Sequence, residues 1–201
     1  MINTTIKKAT LVILVFCLTG LTATSGCKKS SPQEPEVKET AKNTVSPDSL
    51  SAIIARRTSW NPILQSYYGK EMPDFQVSDI NGKPVKLSDY RGKTVMVIMW
   101  ATWCQPCMQE VPHINALREI ISEDKLAILA ISNEDASLVK KAAENKRMVY
   151  TVISYRDALP EPFSNTKSIP SAFYIKPDGT LKLATEGLSY LGEMKAIILA
   201  E

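Results

Sequence analysis

Histidine is almost missing from this chain: His113 is the single imidazole among 201 residues. Cysteine is scarce too, with Cys17, Cys27, Cys104 and Cys107 making four. A structural zinc site draws on four ligands, mostly thiols and imidazoles. Beyond Cys104 and Cys107 the chain past its leader offers only Cys27 and His113, so no metal site is expected. No basic stripe interleaved with aromatics accompanies the formal charge of +3, part of which comes from Lys7, Lys8, Lys28 and Lys29. No nucleic-acid partner is therefore indicated. No apolar run reaches the ~20 residues of a spanning helix, and no segment repeats.

What is present is concentrated around Cys104. Val95-Met96-Val97-Ile98-Met99-Trp100 reads as a strand apolar on both faces, and it runs through Ala101-Thr102-Trp103 into Cys104-Gln105-Pro106-Cys107. An amphipathic helical pattern follows, with Val111, Ile114, Leu117, Ile120 and Ile121 on one face. Two thiols in the first turn of a helix can close a disulfide and open it again. The free N–H groups and dipole of a helix start favour the thiolate of the first. The dipole contributes about 0.3–2 kcal/mol, so sulfur–amide hydrogen bonds across Gln105–Cys107 have to supply the rest. Dithiol redox chemistry is the expectation.

The first residues bear on the compartment. Lys7 and Lys8 precede the apolar residues 11–18, and small residues lead to Cys27. A charged start, a short greasy run and a small-residue zone make a secretory signal. Residues 1–27 resemble a bacterial lipoprotein signal that ends in a lipidated Cys27, with Thr24 where Leu is usual; an uncleaved anchor is the alternative. Either way the domain is exported and held at a membrane. Residues 28–47, rich in Ser, Pro, Glu, Lys and Thr, bury too little apolar surface to offset ordering and read as a tether. Residues 48–201 have the length of one domain.

Within that domain, residues 49–57 suit a short helix, and Trp60, Tyr67 and Tyr68 a packed entry segment. Asn81-Gly82 between two short apolar runs marks a hairpin. Residues 126–131 form a second buried strand. A helix to about Arg147 and a third strand over 149–154 follow. Residues 172–176 and 181–185 pair across the turn Pro177-Asp178-Gly179-Thr180, and residues 188–200 close the chain as a helix. Pro112 is expected to bend the helix it interrupts. The sum is an α/β domain: a mixed central sheet with helices on both faces and an N-terminal β-hairpin.

From Met72 onward the sequence resembles the TlpA-type, ResA-like thioredoxin-fold proteins among the AhpC/TSA-related redoxins. The residues that carry the likeness are Met72-Pro73-Asp74-Phe75, Asn81-Gly82-Lys83, Leu87-Ser88-Asp89-Tyr90-Arg91-Gly92-Lys93, Trp100 to Cys107, Glu110-Val111-Pro112 and Ile169-Pro170-Ser171. The resemblance implies a thioredoxin-like fold, no cofactor, and thiol–disulfide exchange with a disulfide-containing substrate protein. It casts Cys104, the more exposed, as nucleophile and Cys107 as resolving thiol. Pro170 takes the place of a cis-proline opposite the pair, exposing the Ile169 backbone for strand pairing with substrate. Trp103 either shields the sulfurs or packs under the loop. Glu110 is read as a partly buried carboxylate of raised pKa that exchanges a proton with Cys107, against a solvated helix Glu. Glu134 matches a second acidic residue at the rim of some relatives, though beside Asp135 a helix N-terminus favours acids in any case. His113 reads as a helix-surface residue, and Met96, Met99 and Met108 as filler.

Strong oxidants of this fold place a cation by the thiolate; Gln105-Pro106 supplies none, so a low potential is expected. A tethered reductant then needs a membrane thiol electron donor, and the family includes proteins that serve cytochrome c maturation. Two other functions of this fold fit the residues less well. A peroxiredoxin-type thiol peroxidase requires Thr three residues before its Cys, where this chain has Ala101, with Thr102 one residue too close. A copper metallochaperone of this fold spaces its cysteines one residue further apart and adds a late His, and no His follows His113.

Overall fold

The structure, a computed structural model, describes residues 62–200. The signal with Cys27, the tether, the helix over 49–57 and Trp60 lie outside the described residues. The chain enters through a short helix α1 (Pro62–Gln65). A hairpin of β1 (Gln76–Ser78) and β2 (Pro84–Lys86) follows, pairing Val77 with Val85. Its turn closes because the Asp79 carboxylate accepts the N–H groups of Asn81 and Lys83 at 2.8 and 2.9 Å, while Gly82 takes a φ of 83°.

Five strands build the main sheet: β3 (Thr94–Met99), β4 (Leu126–Ser132), β5 (Thr151–Ser154), β6 (Ser171–Ile175) and β7 (Leu181–Glu186). Their order is β5-β4-β3-β6-β7. β3, β4 and β5 are parallel neighbours, and β6 and β7 add antiparallel. Successive side chains alternate between faces. Met96, Ile98, Ile128, Ala130, Ala172 and Tyr174 enter one core; Val95, Val97, Leu129, Ile131, Phe173 and Ile175 enter the other. Burial on both sides is why these strands read as continuous apolar runs.

The crossover helices are α2 (Gln105–Ile120) and α3 (Ala136–Asn145), and α4 (Leu191–Leu199) ends the fold. β3, β4 and β5 succeed one another in one direction across the sheet, so right-handed connections set α2 and α3 on the same face. α4 joins them there through Met194 and Ile197. The opposite face is covered by α1, the hairpin and two 3₁₀ turns, Leu87–Tyr90 and Phe163–Asn165. Phe163 centres it, edge-on to Phe75 and Phe173 at 5.3 and 4.9 Å. Helical elements thus occupy both faces, unequally. α2 runs unbroken through Pro112, which lies on the exposed side.

Three boundaries depart from the sequence expectation. β5 begins at Thr151, two residues late, because Arg147 at φ 51° ends the α3 segment and Val149 is exposed. α3 itself stops at Asn145. α4 begins at Leu191, not 188, because its N-cap Tyr190 is extended, with φ and ψ of −101° and 159°.

The β6–β7 turn offers a stability test. Gly179 stands at φ 86°, and a Cβ there would lie 0.7 Å from Arg91 Nη1. Arg91 closes this turn by donating to the Asp178 carbonyl at 2.7 Å and pairing with Glu71 at 2.5 Å. Gly179→Ala is expected to expel the guanidinium and strain the backbone, costing about 1–2 kcal/mol. The measurement is the urea midpoint at constant slope; an unmoved midpoint would show that neither the Arg91 seat nor the positive φ carries stability here.

Candidate active site

β3 ends where the Trp100 N–H meets the Ile131 carbonyl at 3.1 Å, and α2 starts at Gln105. Cys104 is the N-cap between them, with extended φ and ψ of −79° and 102°. Its Sγ accepts the Cys107 N–H at 3.2 Å and is joined to Cys107 Sγ in a disulfide. The sulfur therefore occupies the place a serine or aspartate oxygen takes at other helix starts. Pro106 sits in the first turn, where its missing N–H would have had no helical partner. No acid occupies that turn.

Two exposures differ from expectation. Cys104 is not the more exposed thiol: both cysteines are 3% accessible. With its sulfur bonded to Cys107 and turned onto the helix N–H, Cys104 points inward. Trp103 neither packs under the loop nor is covered; it is 73% exposed. The indole inside is Trp100, 5% exposed, whose Nε1 finds no hydrogen-bond partner.

Ser171 pairs with Met99, which places Pro170 at the end of β3 from which the cysteine loop departs. The Ile169–Pro170 bond is cis, and the Pro170 carbonyl accepts the Gly187 N–H at 2.8 Å. Ile169 packs against the core cluster that contains both cysteines. Trp103 and Ile169 line one groove together with Trp100, Ile131, Asn133 and Lys167. The structure thus brings Trp103, Cys104, Cys107, Ile169 and Pro170 to one end of the sheet.

Glu110 lies behind the pair. It is 2% exposed, buried beyond the partial burial expected of it. One turn past Cys107 on α2, it lines a small cavity with Cys107, Trp100, Ile114 and Tyr150. The Ser189 N–H donates to its Oε1 at 2.9 Å. One helical turn on, His113 is half-buried and meets Tyr190 edge-on at 5.2 Å, so it is a docking contact where a surface residue was expected. Burial, and then the Glu110 carboxylate, push the Tyr150 phenol above its ordinary pKa. Ser189 and Tyr150 carry no motif, and their roles around Glu110 were not readable from the sequence.

The two acids after β4 do different things. Asp135 caps α3, its carboxylate accepting the Ser137 N–H and hydroxyl at 2.9 and 2.6 Å. Glu134 turns instead toward the cysteine loop. Its Oε2 accepts the Thr102 N–H at 2.6 Å, and its Oε1 accepts the Thr102 hydroxyl at 2.7 Å. Burial raises its carboxyl, but the bonds from Thr102 and Ser132 outweigh that and hold it below the usual carboxylate range.

The AhpC/TSA family model matches residues 68–184. Thiol-disulfide oxidoreductase ResA of Geobacillus kaustophilus is 34% identical over 120 residues, which span 59% of this chain and 69% of that protein. ResA of Geobacillus thermodenitrificans is 33% identical over the same shares. Among solved structures, a putative thiol:disulfide interchange protein DsbE from Chlorobium tepidum superposes with a TM-score of 0.60 at 25% identity. That match covers 66% of this chain and 95% of the other.

Proposed function

The chain belongs to the AhpC/TSA family as a ResA-like thiol–disulfide oxidoreductase of thioredoxin-like fold, and on that premise we propose that it is a membrane-tethered, extracytoplasmic reductase of protein disulfides. The observation that carries this reading is the Cys104–Cys107 disulfide at the N-cap of α2, at the same end of the sheet as the Trp103–Ile169 groove.

In the dithiol form, the Cys104 thiolate attacks one sulfur of the partner's disulfide and the other sulfur leaves, giving a mixed disulfide. The Cys107 thiol passes its proton to Glu110 and attacks Cys104 Sγ. The partner departs with two reduced sulfurs, and the two electrons it gained leave Cys104–Cys107 oxidised. The partner segment is an extended strand lying along Ile169 and Pro170, with Trp103 covering it. A dithiol of the membrane then reduces Cys104–Cys107 and is itself oxidised. Gln105–Pro106 puts no cation beside the thiolate, which supports a reducing couple over an oxidising one. The disulfide of apocytochrome c is a partner of the right chemistry. Lipidation of Cys27 and a tether over 28–47 would hold the domain near its donor, facing the periplasm.

The test is equilibration of the wild-type pair with glutathione, alongside insulin reduction and hydrogen peroxide consumption. The expected result is a potential well below the oxidant value of about −120 mV, with insulin reduced and peroxide untouched. A couple near that value, or peroxide consumption lost in Cys104→Ser, overturns the reading. In the full chain, Cys27→Ser is expected to abolish acyl labelling and release the protein from membranes; retention without label would point to an uncleaved anchor instead.

A further inference from the structure

Between Trp100 and Gln105 the backbone leaves a strand and enters a helix, and few local contacts hold it. The Cys104 N–H reaches the Ala101 carbonyl at 3.2 Å. Thr102, in the middle, has no partner in its own loop: both its donors go to Glu134, thirty-two positions away. One carboxylate thus takes an N–H and an O–H of one residue on its two oxygens, a fork that fixes position and orientation together.

Glu134 is itself held. The Ser132 hydroxyl donates to Oε2 at 2.9 Å, and the Ser132 oxygen accepts the Glu134 N–H at 3.3 Å. The Ser154 hydroxyl donates to the Glu134 carbonyl at 2.6 Å. Ser132 is 1% exposed at the end of β4 and pairs with Ser154 of β5. Glu134 is therefore fixed to two strand ends and grips the cysteine loop from there. Among the described residues no basic side chain forms an ion pair with it.

We propose that Glu134 is a positioning residue for thiol–disulfide exchange: through Thr102 it fixes the segment that presents Trp103 and Cys104, and it adds an unpaired anion near the start of α2. This rests on the thiol–disulfide function proposed above. Two effects follow from one side chain. Holding Thr102 keeps Trp103 on the rim of the groove, which governs how a partner is bound. The negative charge opposes a thiolate at Cys104, so it destabilises the reduced form and keeps the couple reducing. Burial opposes the charge, but the hydrogen bonds from Thr102 and Ser132 outweigh it and hold Glu134 ionised.

The fork and the charge can be separated. Glu134→Gln removes the charge, and its amide cannot accept from both Thr102 donors. Thr102→Val removes one bond and leaves the charge; Thr102→Ser keeps both donors. Each protein is equilibrated with glutathione, two thiols oxidised to one disulfide as Cys104–Cys107 becomes a dithiol, and assayed for kcat and KM on insulin. Glu134→Gln is expected to shift the glutathione equilibrium about 3–10-fold toward the dithiol, as one nearby charge does, and to raise KM several-fold. Thr102→Val is expected to raise KM alone, and Thr102→Ser to restore what valine loses. Urea midpoints identify any variant that has merely lost stability. A Glu134→Gln protein that keeps both the wild-type equilibrium and KM, or whose only change is the urea midpoint, overturns the proposal. If the wild type fails to reduce insulin, the protein-disulfide reading fails, and the glutathione equilibrium of the variants still decides for or against Glu134.

Discussion

A Cys107→Ala protein, reduced and mixed with a disulfide-bearing partner, is expected to stop at a stable covalent complex through Cys104. A Cys104→Ser protein is expected to form none, and both are expected to lose insulin turnover by about 10³-fold or more. The asymmetry follows from surroundings, since accessibility does not separate two thiols that are each 3% exposed. Cys104 is the helix N-cap and receives the Cys107 N–H on its sulfur, so negative charge is stabilised there. It also adjoins exposed Trp103. Cys107 is one turn inside and shares its cavity with Glu110, Ile114 and Tyr150, where burial and a neighbouring carboxylate both disfavour a standing thiolate. Denaturing gels without reductant, followed by mass spectrometry of the trapped species, read the result. Trapping through Cys107 in the Cys104→Ser protein would reverse the two roles, and full turnover in Cys107→Ala would remove the resolving step.

How far the sequence alone could have led depends on the range of each interaction. The strand–cysteine–helix unit was readable because every signal in it is local: the apolar run of β3, the proline in the first turn, the periodicity of α2. The hairpins were readable for the same reason, from Asn81-Gly82 and Asp178-Gly179. Contacts that span the chain left no trace in spacing. Glu134 and Asp135 are adjacent acids before a helix, and only the fold assigns the cap to Asp135 and the Thr102 fork to Glu134. The contact between the Ser189 N–H and a carboxylate 79 positions earlier likewise has no local signal. The exposure of Cys104 was not readable because its sulfur is drawn onto Cys107 and the helix N–H, a geometry that spacing does not encode. The 3₁₀ turns at Leu87 and Phe163 have no periodicity of their own; tertiary packing onto the second core makes them.

Glu110→Gln should leave the fold nearly intact and still slow partner release by about 10²-fold, within the 10²–10⁴ range of a lost general acid–base group. Glutamine matches glutamate in volume, and its amide oxygen can keep the Ser189 N–H, so that donor is not orphaned. What it loses is the capacity to accept the Cys107 proton inside a cavity that water reaches poorly. The mixed disulfide should then accumulate, and its decay should accelerate with pH where the wild type is flat, because solvent base must replace the carboxylate. Glu110→Ala serves as the contrast: it leaves the Ser189 N–H unsatisfied, a cost of about 1–3 kcal/mol, and should lower the urea midpoint as well. Release kinetics from a stopped-flow mixed-disulfide assay across pH distinguish the cases. If Glu110→Gln releases its partner at the wild-type rate while Glu110→Ala unfolds early, Glu110 is there to anchor the Ser189 loop to α2, and the proton of Cys107 leaves by another path.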